Sequence, residues 1–103
     1  MKAIQRVVMK VVPGKMAEYM ELMEKQKPLV SRYGMPPWKV YRLLSGEGDV
    51  MHTLIYETEW DSLAAMEAFF DKVMIDPEYQ ALMPQWDPLI ESHGFEVYTP
   101  MPS

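Results

Sequence analysis

Residues 51–60, MHTLIYETEW, alternate as a strand does, yet neither side of that strand is properly polar. One side carries His52, Leu54, Tyr56, Thr58 and Trp60, while the other carries Met51, Thr53 and Ile55 before reaching Glu57 and Glu59. A single helix layer can cover only one side. The second side calls for a partner subunit or a ligand-holding cavity.

Working outward, Trp38 to Ser45 (WKVYRLLS) reads as the preceding strand, and Gly46 to Asp49 (GEGD) as the turn of a hairpin. Ala3 to Val12 also alternates and is rich in valine, and Pro13 with Gly14 closes it. Met16, Tyr19, Met20, Met23, Val30 and Tyr33 then follow the three-and-four rhythm of an amphipathic helix ending at Gly34. Pro28 lies inside that helix, and its missing N–H predicts a kink or break. Downstream, Asp61 or Ser62 caps a helix over Leu63 to Val73. Asp76 followed by Pro77 starts another over Pro77 to Met83. Pro84 and Pro88 predict short turns, and Phe95 to Tyr98 reads as the last strand.

The order β, α, β, β, α, an added helical segment and β is the split pattern of a ferredoxin-like α+β sandwich. Right-handed crossovers put the helices on one face of a four-stranded antiparallel sheet, leaving the other face open. The second strand is apolar on both sides, with Trp38, Val40 and Leu44 against Tyr41 and Leu43. A monomer would expose an unusually large patch, so the expectation is a homodimer joined through the open sheet faces.

Length and charge narrow the partners. The 103 residues fit one domain, 1–103, and the 10 basic against 15 acidic residues give a net charge of −5 with no basic cluster. Neither nucleic acid nor an anionic membrane is an expected partner. The absence of cysteine excludes disulfides, thiolate catalysis and thiolate metal sites, and points to the cytoplasm. No apolar run approaches the roughly 18 residues a membrane span needs, so neither signal peptide nor anchor is expected. Two isolated histidines and no phosphate-cradling glycine loop lead us to expect no metal and no cofactor. Eleven methionines and twelve aromatics supply either a plastic binding surface or core and interface packing.

Several stretches sharpen this picture in a consistent order. Pro13, Gly14 and Lys15 form a PGK turn after the first strand, Tyr56 to Leu63 reads YETEWDSL, and Asp76 to Leu82 reads DPEYQAL with Pro88 and Leu89 after it. The chain thereby resembles the dimeric α/β-barrel superfamily, with the YETEWDSL junction similar to antibiotic-biosynthesis-monooxygenase-like proteins and the last third similar to NIPSNAP-like proteins. The resemblance implies a barrel with a lumen or cleft beneath the helices that holds a small hydrophobic or aromatic molecule. It does not fix an activity, since relatives include cofactor-independent oxygenases and isomerases, haem-binding and haem-degrading proteins, and others without an assigned reaction. Monooxygenase-like members often carry a histidine in the second helix, where this chain has Phe69 and Phe70, and the asparagine that haem-degrading members need is missing.

Among the residues themselves, His52 and Tyr56 share one side-chain row, so a neutral imidazole could act as general base with Tyr56 orienting the substrate. The structural alternative for His52 is a half-exposed residue bonded to its neighbours. His93, before Gly94, reads as a turn or helix-end residue. Arg6 and Arg42 lie in strands, where a covered charge needs a mate such as Glu57 or Glu96, or else binds a ligand carboxylate or carbonyl. Trp38, Tyr41, Trp60 and Trp86 are candidates to line an aromatic pocket, with Trp60 at a strand end read rather as a packing anchor and Trp86 in a proline-flanked loop that could act as a lid. Two functions follow: a ligand-binding barrel acting as a cofactor-independent monooxygenase or isomerase, or a non-catalytic dimerisation and interaction protein of NIPSNAP-like type.

Overall fold

A computed structural model of the protein describes residues 1–46 and 48–102. Strands β1 (Ala3–Val11), β2 (Trp38–Arg42), β3 (Thr53–Trp60) and β4 (Ile90–Tyr98) alternate with helices α1 (Met16–Arg32), α2 (Leu63–Val73) and α3 (Pro77–Trp86). The sheet order is β2-β3-β1-β4 and every pair is antiparallel, the ferredoxin-like βαββαβ arrangement with one added helix. The expected Gly46–Asp49 turn includes Glu47, which lies outside the described residues.

Register assigns the faces. Ala3, Gln5, Val7 and Met9 of β1 stand opposite Trp60, Thr58, Tyr56 and Leu54 of β3. This row faces the helices, and it builds two core clusters. One joins Ala3 and Trp60 to Val30, Met66, Phe69 and Val73; the other joins Leu54 and Tyr56 to Val11 and Tyr19. The alternate row, Ile4, Arg6, Val8 and Lys10 against Glu59, Glu57, Ile55 and Thr53, occupies the other face.

Helix ends follow the local chemistry. Gly34, at φ +97°, sits just past Tyr33, and the N–H groups of Gly34 and Met35 donate to the Ser31 and Val30 carbonyls, closing α1 in a Schellman motif. Ser62, not Asp61, caps α2, its Oγ accepting from Ala65 N–H at 3.0 Å. Asp76 caps α3 by accepting from Tyr79 N–H at 3.0 Å, with Pro77 in the first turn.

Four expectations need correction. Pro28 does not break α1, which runs through it. Pro28 and Glu24 are both exposed, so water can take the freed carbonyl, and burial of Leu29 and Val30 offsets the loss. Pro84 likewise sits inside α3, which extends to Trp86. The last strand begins at Ile90 rather than Phe95, because β1 pairs with it along its length despite Gly94. Finally, β2 stops at Arg42 and β3 starts at Thr53, leaving Leu43 to Ser45 and Met51 to His52 in the connection.

The Tyr33 hydroxyl also donates to the Asp76 carboxylate, and Arg32 approaches it at 3.3 Å, tying the start of α3 to the end of α1. These contacts, the Tyr33 hydrogen bond foremost, hold Asp76 below the usual carboxylate range. Such a group contributes stability above its unfolded pKa of about 3.9, lost as pH falls through the lower folded value. Asp76→Asn, which keeps a capping oxygen, is therefore expected to lower the melting temperature at pH 7. It is also expected to flatten the acid limb of stability below about pH 4, as followed by circular dichroism.

Candidate functional site

Between the helix-facing row of the sheet and the three helices lies a cleft of two adjoining chambers. The inner one, about 220 Å³, is walled mainly by apolar side chains, with Val30 from α1, Trp38 from β2, Phe69 and Phe70 from α2 and Phe95 from β4 among them. The outer one, about 480 Å³, lies under Met83 and Trp86 of α3 and reaches Asp87, Ile90 and His93. Met9, Met23, Gln26 and Tyr79 wall both. The inner chamber exists because α1, α2 and α3 cover the centre of the sheet while leaving Val40, Phe95 and Val97 near its edges substantially exposed.

Two tyrosines meet at the cleft floor. The hydroxyls of Tyr19 and Tyr56 lie 2.6 Å apart in a buried contact. Burial pushes the Tyr19 phenol far above its ordinary value, and burial raises Tyr56 as well, while the hydrogen bond from Tyr19 pulls Tyr56 back down. Tyr19 is fully enclosed, and among the described residues its hydroxyl has no other partner. Either hydroxyl can be the donor, and since Tyr56 lines the inner chamber while Tyr19 lines neither, donation from Tyr19 leaves the remaining hydrogen on the residue nearer the chamber. Trp86 packs edge-on against the Tyr19 ring at 5.4 Å, sealing the pair from the α3 side.

The structure gathers some of the residues singled out in the sequence and separates others. Tyr56 and Trp38 line the inner chamber, and Trp86 lines the outer one from the last turn of α3 rather than from a loop. His52 lines neither chamber. It lies in the turn before β3, where its Nδ1 is 2.8 Å from Asp49 Oδ2. Arg6, Tyr41 and Glu57 belong to the opposite face of the sheet by register. Arg6 is ion-paired at 3.0 Å with Glu96 of its own chain, and Glu57 stands between Arg6 and Lys39 as their cross-strand neighbour. Arg42 pairs with Leu54 in register and is exposed at the end of β2.

Gln5, Gln26 and His93 are among the cleft residues that sequence reading did not assign to a site. Gln5 stands in an alternating valine-rich strand and gives no signal of its own until its neighbour Trp60 is known. Gln26 occupies the Met16, Tyr19, Met23, Val30 stripe of α1 where an apolar residue is expected, a break in pattern that offered a signal. His93 comes to the outer chamber because β4 extends five residues earlier than its composition suggests, placing it beside Met9.

Replacing Tyr19 or Tyr56 singly by Phe leaves one buried hydroxyl without its partner, at an expected cost of about 1–2 kcal/mol in chemical denaturation. The double replacement is expected to cost less than the sum of the singles, the sign of a direct pair in a double-mutant cycle.

Comparison with known proteins places this geometry. The NIPSNAP family model matches residues 7–103. Among curated proteins none matches the chain. A NIPSNAP family protein from Agrobacterium tumefaciens superposes with a TM-score of 0.75 at 19% identity, covering 98% of this chain and 94% of that one. A DABB family protein with a ferredoxin-like fold from Mesorhizobium loti gives 0.70 at 19% identity, covering 99% and 100%. SnoaB, a cofactor-independent oxygenase from Streptomyces nogalater, gives 0.70 at 13% identity, covering 99% and 95%. At these identities the structural matches speak for the fold alone, and the family match over nearly the whole sequence establishes that the chain belongs to the NIPSNAP family.

Proposed function

We propose that the protein binds a small hydrophobic or aromatic molecule in the cleft between its sheet and its helices. The observation that carries this reading is the inner chamber, whose walls are largely aromatic, aliphatic and thioether groups with few polar atoms among them. Trp38 and Tyr56 touch the ligand in this reading, and Trp86 closes the outer end. The shared fold with a cofactor-independent oxygenase supports testing bound carbon acids for oxidation or isomerisation without a cofactor. The position of His52, outside both chambers and hydrogen-bonded to Asp49, favours the second reading, a non-catalytic dimerisation and interaction protein.

The same reading includes a homodimer through the open sheet face. Ile4, Val8, Ile55 and Tyr41 lie on that face, the intrachain pairs Lys2–Glu59, Arg6–Glu96 and Lys10–Glu91 offset six of its charges, and Glu57 and Lys39 stand opposite each other in register. A face whose charges are largely paired or set beside an opposite charge can be covered by its own copy at a low cost in lone ions. Among the described residues no helix is long and apolar enough to cross a membrane.

Naphthalene, a neutral flat probe, is expected to quench tryptophan fluorescence saturably, and Trp38→Ala to weaken its binding by about tenfold. Absence of saturation up to its solubility limit would contradict ligand binding. In sedimentation velocity the parent protein is expected to run as a dimer and Ile55→Lys as a monomer; a monomeric parent would remove the dimer from the account.

A further inference from the structure

The floor of the inner chamber presents polar groups whose orientation is dictated by their neighbours. Gln5 is only 6% exposed, yet its side chain lines the chamber. The Trp60 indole N–H donates to Gln5 Oε1 at 2.9 Å. An indole N–H can only donate, so the carboxamide oxygen must be the atom facing Trp60, and the NH2 must point the other way. No described residue accepts from that NH2, and no described polar side-chain atom is both sealed off and unpartnered, so the NH2 opens onto the chamber. Trp60 is itself immobilised, 2% exposed and packed against Phe69 with ring centroids 5.3 Å apart. The amide is locked.

Tyr56 and Thr58 bring hydroxyls to the same row of the sheet, that of Tyr56 sharing a hydrogen bond with Tyr19. Of the polar groups on the floor, the Gln5 NH2 is the one fixed as a donor, while the hydroxyls of Tyr56 and Thr58 can give or receive. A ligand without an acceptor would strip water from the Gln5 NH2 and return nothing, whereas one with a carbonyl oxygen would satisfy it.

Building on the cleft-binding reading, we propose that the inner chamber selects flat apolar molecules bearing an acceptor oxygen of the ketone, lactone or amide carbonyl class. Gln5 is the residue that reads that oxygen, and Trp60 is the positioning residue that fixes its amide. Gln5→Met keeps side-chain length and removes the donor. Trp60→Phe keeps an aromatic ring against Phe69 and removes the lock while leaving Gln5 in place.

The test compares 1-indanone, which only accepts, with indole, which only donates, two bicyclic probes of similar size, titrated by ¹H–¹⁵N NMR. The parent is expected to bind 1-indanone about tenfold more tightly than indole, with the Gln5 side-chain NH2 signals shifting only for the ketone. Gln5→Met is expected to abolish the preference, and Trp60→Phe to reduce it. Amide spectra confirm the fold of each variant, and if Trp60→Phe does not fold, Gln5→Met with the parent NH2 shifts decides the matter. Equal binding of both probes by the parent, or an unchanged preference in Gln5→Met, overturns this inference while leaving cleft binding intact. If neither probe binds and naphthalene also fails to bind, the cleft-binding reading falls with it.

Discussion

The antiparallel register of β1 against β3 determines which residues of this chain meet which. Because side chains alternate with a period of two, sliding that pairing by one residue would turn Gln5, Val7 and Met9 away from the helices and bring Arg6, Val8 and Lys10 under them. In the observed register Gln5 lies within reach of Trp60, and Tyr56 lies beside Val7 at the position where Tyr19 descends from α1. The alternative would bury two charges, Arg6 and Lys10 of β1, against apolar helix faces, at a cost of several kcal/mol for each ion left without a partner. The apolar pattern and the ion pairs of the other face thus select the same register.

From that register the cleft follows. α1 and α2 bury several side chains each against the centre of the sheet, whereas α3 has no buried residue and spans the cleft on partly covered ones. It is fastened at its ends, by Asp76 to Tyr33 and Arg32, and by Trp86 on Tyr19. A helix held by its two ends roofs a space rather than filling it. The methionines fit this role: Met9, Met23, Met35 and Met83 line the chambers, where unbranched thioethers adapt to an occupant of irregular shape.

Much of this was legible in the sequence. The lack of a polar side on MHTLIYETEW marked β3 as a strand that needs cover on both sides, and the caps at Ser62 and Asp76 marked the starts of α2 and α3. What stayed hidden depended on long-range pairing. Glu91, Ser92, His93 and Gly94 are poor strand formers, and only their ladder with β1 extends β4 through them. Pro28 and Pro84 read as breakers because local rules cannot see that the freed carbonyls face solvent. The site was less legible than the fold, since Tyr56 and Trp38 stand out by type, whereas Gln5 acquires meaning only from an indole 55 residues away. His52 and Arg6 drew notice as chemically versatile groups, and in the fold each has a nearby carboxylate.

The central claim is that the space above this row of side chains exists to be occupied. The most direct measurement is a high-resolution crystal structure of the purified protein soaked with a carbonyl-bearing aromatic such as 1-indanone. The account predicts flat density between Trp38 and Phe69 with its oxygen toward Gln5. A chamber filled instead by inward-turned Trp38 and Met23 side chains, with no density for the probe, would contradict it.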